Sequence, residues 1–191
     1  MSVAMEDGSR RHRITVDEYH RLAEQGSFAP DARVELIDGV IIDMPPIGSP
    51  HAAIGSRLDS LLGEVVGRQA LVRCQWPLRL GNDSEPQPDI ALVRPRENFY
   101  EDRHPTAADT LLVIEVSVTT LNDDLRTKLR LYARHGIPEY WVVDVVSQRL
   151  HVFRRPCGAE YEQAVSVDRP REVEITALPG ISVDLSRIFG S

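Results

Sequence analysis

Two carboxylates lie in stretches of the chain that are otherwise apolar. Asp89 opens the apolar run Ile90–Val93, and Glu115 lies near the end of the next apolar run, residues 111–118. An ionised carboxylate in buried chain needs a partner or a metal ion. Two carboxylates on adjacent strands, completed by a strand carbonyl and water, would form the oxygen-rich half-shell that Mg²⁺ or Mn²⁺ prefers. The spacing favours a divalent metal site; the alternative is that Asp89 caps a turn while Glu115 pairs with an arginine.

The only lysine of the chain is Lys128, whereas arginine occurs 21 times. Arginine keeps its proton near neutral pH, while lysine is a compact donor whose pKa responds to its surroundings, so a sole lysine suggests a chemical role. Lys128 comes three residues after Leu125 and seven after Leu121, which places it on the inward face of a predicted helix. There it could orient or help deprotonate an attacking water and offset charge on a phosphate. The alternative is an ordinary helix pair between Lys128 and Asp124.

Turn residues and apolar spacing predict the elements that position these side chains. Helices are predicted over residues 14–25, 49–67 and 122–135. A hairpin is predicted over residues 34–44, and strands over residues 71–80, 90–93, 111–118, 139–146, 150–153, 161–167 and 172–177. The last three strands would form a meander that ends the domain. This order of elements predicts a mixed α/β (α+β) fold.

Local signals support individual elements of this prediction. Thr15 followed by Glu18 is a capping-box pattern for the first helix, and Ser49 is the expected N-cap of the second. The runs 90–93 and 111–118 show little alternation, which suits the buried centre of a sheet covered on both faces. The long charged connection between them, residues 94–109, could therefore border a functional site.

Charge and length limit the class of protein. The net charge of −7 has the wrong sign for binding nucleic acid by bulk electrostatics, so any such contact must be local. The length fits one domain, predicted over residues 14–191, after a charged tail over residues 1–13 that lacks the apolar run of a signal peptide. No run approaches the roughly 18 apolar residues of a membrane span, which favours a soluble, cytoplasmic protein.

The two cysteines do not indicate a metal site or a disulfide framework. Cys74 and Cys157 lie far apart, and neither belongs to a CxxC motif. This spacing argues against structural zinc and against a network of disulfides. Both side chains are expected to be small, apolar, and buried or half-buried.

Several motifs around the candidate residues occur together in a known family. They are the segments 87–93 (QPDIALV), 114–117 (IEVS), 132–133 (YA), 136–144 (GIPEYWVVD) and 35–39 (ELIDG), together with Asp124, Lys128 and His51. From about residue 14 to residue 153, the chain resembles the Uma2 family of restriction-endonuclease-like proteins. The resemblance implies the PD-(D/E)XK nuclease fold, a central mixed sheet flanked by helices, with a divalent-metal phosphodiesterase site at the sheet edge.

The resemblance assigns roles to the acidic residues. Asp89 would be the aspartate of the PD element and Glu115 the acidic residue of the (D/E)XK element, and both would bind the metal. Glu35 would be the early acidic residue that completes the site. Two residues after Glu115, where a typical superfamily member has lysine, stands Ser117. In this interpretation Lys128 enters the same space from the neighbouring helix.

Four further residues are accessory candidates. His51 lies in the first turn of a predicted helix, where it would either reach the site or be a surface group. Ser117 occupies the position of the displaced lysine. Asp124 and Tyr132 lie one turn before and one turn after Lys128 on the same helix face, where each would contact the site or simply pack. Val118 departs from the polar residue expected of close relatives, which affects details of the metal shell.

Three functions use this set of residues. The leading hypothesis is an endonuclease that depends on Mg²⁺ or Mn²⁺ and cleaves DNA phosphodiester bonds through attack of a metal-activated water. The second is a catalytically inactive module of the same fold that binds nucleic acid or associates with itself, which the acidic charge balance favours. The third is a metal hydrolase that acts on a small phosphodiester. A homodimer is expected from the resemblance and the C-terminal strands.

Overall fold

The N-terminal helix begins at the capping box that the sequence predicts. In the computed structural model, which describes residues 12–189, Thr15 Oγ1 accepts a hydrogen bond from the Glu18 amide at 3.2 Å, and Glu18 Oε2 accepts one from the Thr15 amide at 2.7 Å. Helix α1 (Val16–Glu24) follows directly. The predicted N-terminal tail, residues 1–13, lies almost entirely outside the described residues.

The predicted hairpin and second helix follow α1. Strands β1 (Val34–Ile37) and β2 (Val40–Asp43) pair antiparallel. Asp38 and Gly39 turn the hairpin at φ values of 52° and 73°, as a tight two-residue turn requires. Helix α2 (Ser49–Val66) starts one residue earlier than expected, because Gly48 is its N-cap and Ser49 already lies in the first turn.

A six-stranded sheet carries the two acidic strands. The remaining strands in chain order are β3 (Leu71–Cys74), β4 (Ile90–Val93), β5 (Thr110–Ser117), β6 (Glu139–Asp144), β7 (Arg149–Cys157), β8 (Glu160–Asp168), β9 (Glu172–Glu174) and β10 (Ser182–Asp184). The sheet order is β3-β4-β5-β6-β7-β8. β5 and β6 run parallel, and the other neighbouring pairs run antiparallel. The mixed sheet that the sequence predicts is therefore confirmed.

The C-terminal strands differ from the predicted meander. β7 and β8 extend the central sheet, while β9 and β10 form a separate two-stranded sheet that packs beside α2. β10 was not predicted, because its three residues are too short to show an alternating pattern. No helix in the stretch 12–189 combines the length and apolar character that crossing a bilayer requires.

The two faces of β5 enter different environments. Leu112, Ile114 and Val116 pack in the larger hydrophobic core, which also contains the apolar face of α2. Val113, between them, packs in a second core with Tyr132. Because side chains alternate along a strand, Glu115 shares the face of Val113 and points toward the helix that follows β5.

That helix has three segments. A short turn, α3 (Leu121–Asp123), leads into a π-helical segment (Asp124–Lys128), which continues as α4 (Leu129–Arg134). In the π segment the Leu129 amide donates to the Asp124 carbonyl, five residues back. Such wide turns occur frequently at functional sites. The predicted helix is thus present, with an irregularity that the sequence did not reveal.

The buried face of this helix includes three polar side chains. Asp124, Lys128 and Tyr132 are buried, whereas Leu121 and Leu125 of the predicted core-facing stripe are only half-buried. The predicted stripe faces the core, because Leu121, Leu125 and Leu129 pack against the second hydrophobic core. Lys128 and Tyr132 reach buried carboxylates on β5 and β1, and Asp124 accepts a hydrogen bond from Ser117 at the end of β5.

Candidate active site

Asp89 and Glu115 are held together by the backbone of adjacent strands. Asp89 directly precedes β4, whose Ile90 pairs with Ile114 of β5. The Val116 amide donates to Asp89 Oδ2 at 2.8 Å, and the Asp89 amide donates to Glu115 Oε2 at 3.3 Å. Each carboxylate is thus anchored by the other strand. Glu115 does not pair with an arginine among the described residues.

Lys128 reaches this pair from the π segment. Its Nζ donates to Glu115 Oε1 at 3.0 Å and lies 3.5 Å from Glu35 Oε1. Lys128 is 8% exposed, Glu35 4% and Glu115 3%. Burial alone would lower the pKa of Lys128, but the negative charges of Glu115, Glu35 and Asp124 outweigh it and raise that pKa. The ammonium group therefore bridges two carboxylates, and the simple helix pair with Asp124 is not formed.

Glu35 enters the site from the hairpin. It lies on β1, and its Oε2 accepts a hydrogen bond from the Gln87 amide at 3.1 Å. The Gln87 side chain donates in turn to the Val34 carbonyl at 3.0 Å, which fixes β1 against the segment before β4. Sequence reasoning missed Gln87 as a positioning residue. Its place immediately before the Pro88-Asp89 pair was the available signal.

Tyr132 and Asp124 complete the helical wall of the site. Tyr132 is fully buried, and its hydroxyl donates to Glu115 Oε1 at 2.8 Å. Asp124 Oδ2 accepts from Ser117 Oγ at 2.5 Å and from Thr120 Oγ1 at 2.7 Å. Ser117, at the position expected of lysine, thus binds Asp124 and leaves Glu115 to Lys128. Thr120 was not anticipated, although it directly precedes the helix.

His51 and Gln75 contact Asp89 from the opposite side. His51 Nε2 lies 3.0 Å from Asp89 Oδ2, and Gln75 Nε2 donates to Asp89 Oδ1 at 3.5 Å. Burial by itself would raise the pKa of Asp89, but the hydrogen bond and charge of His51, the Val116 amide and the charge of Lys128 together hold it below its ordinary value. Asp89 is therefore a stable carboxylate. Gln75 was not among the predicted site residues.

These groups line one cleft of about 410 Å³. One wall is the connection between β2 and α2, including Met44, Pro45 and Ile47; the other is formed by Val118, Thr119 and Thr120. All four residues predicted to be catalytic line it: Glu35, Asp89, Glu115 and Lys128. His51 and Asp124 also line the cleft, while Ser117 and Tyr132 lie behind the lining residues.

Negative charge exceeds positive charge in the cleft. Burial raises the pKa of Glu115 well above its ordinary value; Lys128 opposes this shift, and the charges of Asp89, Asp124 and Glu35 reinforce it. Burial likewise raises the pKa of Asp124, against the hydrogen bonds from Ser117 and Thr120. A second cation in the cleft would relieve this repulsion.

The donor set suits a hard divalent cation. Carboxylate oxygens are the ligands that Mg²⁺ and Mn²⁺ prefer, and one or two of them suffice when water and substrate phosphate complete the shell. Asp89 and Glu115 supply two such groups from neighbouring strands. Within residues 12–189 no group of three or more His, Cys, Asp or Glu side chains is arranged to hold a metal ion. The fit is thus to a cation bound by two carboxylates and completed by other oxygen ligands.

Comparisons with known proteins agree with this architecture. The sequence model of the Uma2 family, described as "Putative restriction endonuclease", matches residues 16–186. The chain is similar to the crystal structure of "a putative nuclease belonging to DUF820" from Anabaena variabilis, with a TM-score of 0.68 and 24% sequence identity. This similarity covers 92% of the present chain and 97% of the other, and at that identity it shows the shared fold. No curated protein sequence matches the chain.

Proposed function

Because the chain belongs to the Uma2 family, we propose that it is a nuclease that hydrolyses phosphodiester bonds of DNA in the cleft between β1, β5 and the π segment. The observation that carries the proposal is the position of Lys128, whose buried ammonium lies within 3.0 Å of Glu115 and 3.5 Å of Glu35. A sole lysine held inside an acidic cleft is suited to bind a substrate phosphate or to orient the water that attacks it.

Asp89 and Glu115 would hold a divalent cation, Mg²⁺ or Mn²⁺, and Glu35 would assist them. When bound, such an ion lowers the pKa of water and neutralises charge on the phosphate. The protein presents both carboxylates in fixed positions: the Val116 amide and His51 orient Asp89, and the Tyr132 hydroxyl orients Glu115. Partners of this kind raise metal affinity because they hold the ligands in place before the ion arrives.

Lys128 acts as a proton donor in hydrogen bonds and does not act as a base. Its three acidic neighbours raise its pKa, so the amine stays protonated at neutral pH. A protonated amine cannot take a proton from water. It can donate to a non-bridging phosphate oxygen or hold the attacking water by its lone pair, and it stabilises the charge that builds up on the phosphate as the new P–O bond forms.

The test is cleavage of supercoiled plasmid and of circular single-stranded DNA, with Mn²⁺, Mg²⁺ or EDTA. The variants are Lys128→Met and Asp89→Asn. Arg130→Met is the matched control, because Arg130 lies on the exposed side of the same helix. We expect the wild type and Arg130→Met to nick DNA only with metal. Each site variant should lose about 100-fold or more in rate, the usual effect of removing one group that stabilises transition-state charge.

Equal cleavage by the wild type, Lys128→Met and Asp89→Asn would refute the proposed site. Cleavage of simple phosphodiesters without cleavage of DNA would instead indicate a small-molecule hydrolase. Thermal unfolding of each variant in EDTA separates loss of chemistry from loss of folded protein.

A second candidate is a non-catalytic module that keeps the fold for binding nucleic acid or for self-association as a homodimer. The observation in its favour is that Lys128 already neutralises part of the acidic cluster by pairing with both Glu115 and Glu35. In that case the cluster would be a structural ion pair. Mn²⁺ binding without turnover, measured by calorimetry alongside the cleavage assay, would favour this candidate.

A further inference from the structure

Two large aromatic side chains are exposed on the segments that follow β3 and β4. Trp76 is 59% exposed and Phe99 is 68% exposed. Trp76 directly follows Gln75, whose side chain reaches Asp89 Oδ1 at 3.5 Å. Trp76 is therefore the chain neighbour of Gln75, which contacts the proposed metal ligand Asp89. Phe99 belongs to the connection between β4 and β5, the charged segment that the sequence marked as a border of the site.

Arg73 lies against Trp76 and against Tyr100, the residue after Phe99. Its guanidinium carbon is 5.9 Å from the centre of the Trp76 ring and 5.9 Å from the centre of the Tyr100 ring. Arg73 is half-buried at the end of β3, and within residues 12–189 it forms no ion pair. The surface thus presents a cation without an acidic partner.

The neighbouring arginines behave differently. Arg96 and Arg103 also stack over Tyr100, at 5.1 Å and 5.5 Å. Arg96 pairs with Asp102 and Arg103 with Asp109. Because their charges are already compensated, they support the Tyr100 ring and leave Arg73 to interact with an anion.

The backbone is strained at the residues that present this surface. Gln75, Phe99 and Tyr100 have φ values of 54°, 49° and 64°. Bulky residues other than glycine rarely adopt this left-handed region, and strain of this kind concentrates at ligand-binding sites. The Tyr100 hydroxyl donates to the Arg94 carbonyl at 2.7 Å, which holds the connection in this conformation. The fold keeps strained backbone on both sides of Arg73.

We propose that Trp76 and Arg73 form a docking surface for an unpaired nucleotide of the substrate, with the base stacked on Trp76 and a phosphate bound by Arg73. This inference rests on the proposed nuclease function and specifies its substrate as nucleic acid with a single-stranded segment.

Two physical reasons favour an unpaired base over a duplex. An aromatic side chain can stack only on a base whose face is not covered by its neighbours in a helix, and such stacking tolerates any sequence. A protein of net charge −7 has little general attraction for a duplex, so one stacking contact and one local cation would contribute a large share of its affinity.

The test is fluorescence titration in EDTA, where metal-dependent cleavage does not occur. Of the two tryptophans, Trp76 is exposed and Trp141 is fully buried, so quenching by a ligand reports on Trp76. The probes are octathymidylate and a blunt-ended DNA duplex, with fluorescence anisotropy of labelled probe for variants that lack Trp76. The variants are Trp76→Ala, Trp76→Phe, Arg73→Ala and Arg155→Ala. Arg155 is the control because it is exposed on β7, four strands from β3 in the sheet.

We expect octathymidylate to quench the wild type and to bind Trp76→Ala about tenfold more weakly. Trp76→Phe should lose less, since phenylalanine still stacks, and Arg73→Ala should bind several-fold more weakly. Arg155→Ala should bind like the wild type. Quenching without cleavage under any metal condition would still support the docking surface while refuting the nuclease proposal.

Other results would overturn the inference. One is a wild type that cleaves DNA with metal but does not bind octathymidylate, or that binds it with the same affinity as Trp76→Ala. Another is an equal loss of duplex and octathymidylate binding in Trp76→Ala, which would indicate a general groove for nucleic acid. A third is a wild-type dimer in sedimentation that Trp76→Ala converts to a monomer, because a second copy of the chain would then cover the surface.

Discussion

Lys128 Nζ lies 3.0 Å from Glu115 Oε1, although the two residues are thirteen positions apart and come from a helix and a strand. The contact places the only lysine of the chain beside the fully buried carboxylate of the central sheet. Glu35, Asp89 and Asp124 lie in the same cleft, so one ammonium faces an excess of carboxylates. The properties of the cleft follow from this imbalance.

The first prediction concerns pH and Glu115. Burial raises the pKa of this side chain well above 4.5, so as the pH falls the folded state takes up this proton at a higher pH than the unfolded chain does. Stability should therefore fall as pH rises, whereas Glu115→Gln has no proton to lose. In EDTA, the variant should gain stability relative to the wild type as the pH rises above about 5, by at most about 1.4 kcal/mol per pH unit.

Urea unfolding at several pH values measures this difference. His104, His135 and His151, whose pKa values are lowered chiefly by burial, titrate in both proteins and cancel in the comparison. A stability difference that does not change with pH would mean that Glu115 is ionised throughout.

The second prediction concerns His51. Its Nε2 lies 3.0 Å from Asp89 Oδ2 and helps to fix that carboxylate. His51→Ala should weaken Mn²⁺ binding by about 10- to 100-fold, the usual effect of losing a partner of a metal ligand. Calorimetric titration with Mn²⁺ measures the affinity, and His135→Ala is the control because His135 is a half-buried histidine that does not line the cleft. Unchanged affinity would place His51 outside the metal site.

The third prediction separates a structural carboxylate from the proposed catalytic ones. Glu139 is fully buried; its Oε1 accepts from Trp141 Nε1 and from Arg154 Nε, both at 2.8 Å, and its Oε2 accepts from the Thr176 amide at 2.8 Å. Glu139→Ala should cost about 3 kcal/mol of stability, since it leaves buried donors and a partly buried arginine without their partner. Cleavage per folded molecule should be unchanged.

Urea denaturation and the plasmid assay, run on the same sample, check both parts. Glu160→Ala, an exposed change on β8, serves as the control for stability. A large loss of cleavage in folded Glu139→Ala would show that this network supports the site directly.

The fourth prediction distinguishes the two cysteines. Burial, reinforced by Asp59, raises the pKa of the Cys74 thiol to about 12, whereas Cys157 is exposed, contrary to the expectation that both would be buried or half-buried. Because the thiolate is the reactive form, only one thiol should react rapidly with Ellman's reagent near pH 8. Cys157→Ser should abolish the rapid phase, and urea should release the second thiol. Two rapid phases in the native protein would contradict the buried position of Cys74.

Local signals predicted the framework of the fold. The Thr15–Glu18 capping box and the Asp38-Gly39 turn each form between residues that are close in sequence. Both could therefore be predicted from the sequence alone. The apolar runs that became β4 and β5 were also clear. The π segment was not, because hydrophobic periodicity gives no sign of a five-residue turn, and polar side chains share the buried face of this helix with apolar ones.

The candidate site was predictable in its charged members and not in the residues that position them. Asp89, Glu115 and Lys128 stand out as charges in apolar surroundings or by their rarity. Gln87 acts on Glu35 through its backbone amide, and Gln75 reaches Asp89 only because β3 pairs with β4. Contacts of this kind depend on tertiary register, which spacing along the chain does not reveal.

Because Lys128 lies in the π segment, the direction of its side chain depends on the number of residues in that helix. In a strand, residues two apart always share a face, so a lysine two positions after the acid is tied to the pleat of the sheet. On a helix, removing one residue rotates every side chain beyond it by about 100°. Loss of a single residue within Asp124–Lys128 would turn the ammonium away from Glu115 and leave the sheet intact. If Lys128 has the role proposed above, such a deletion should abolish cleavage while the core stays folded.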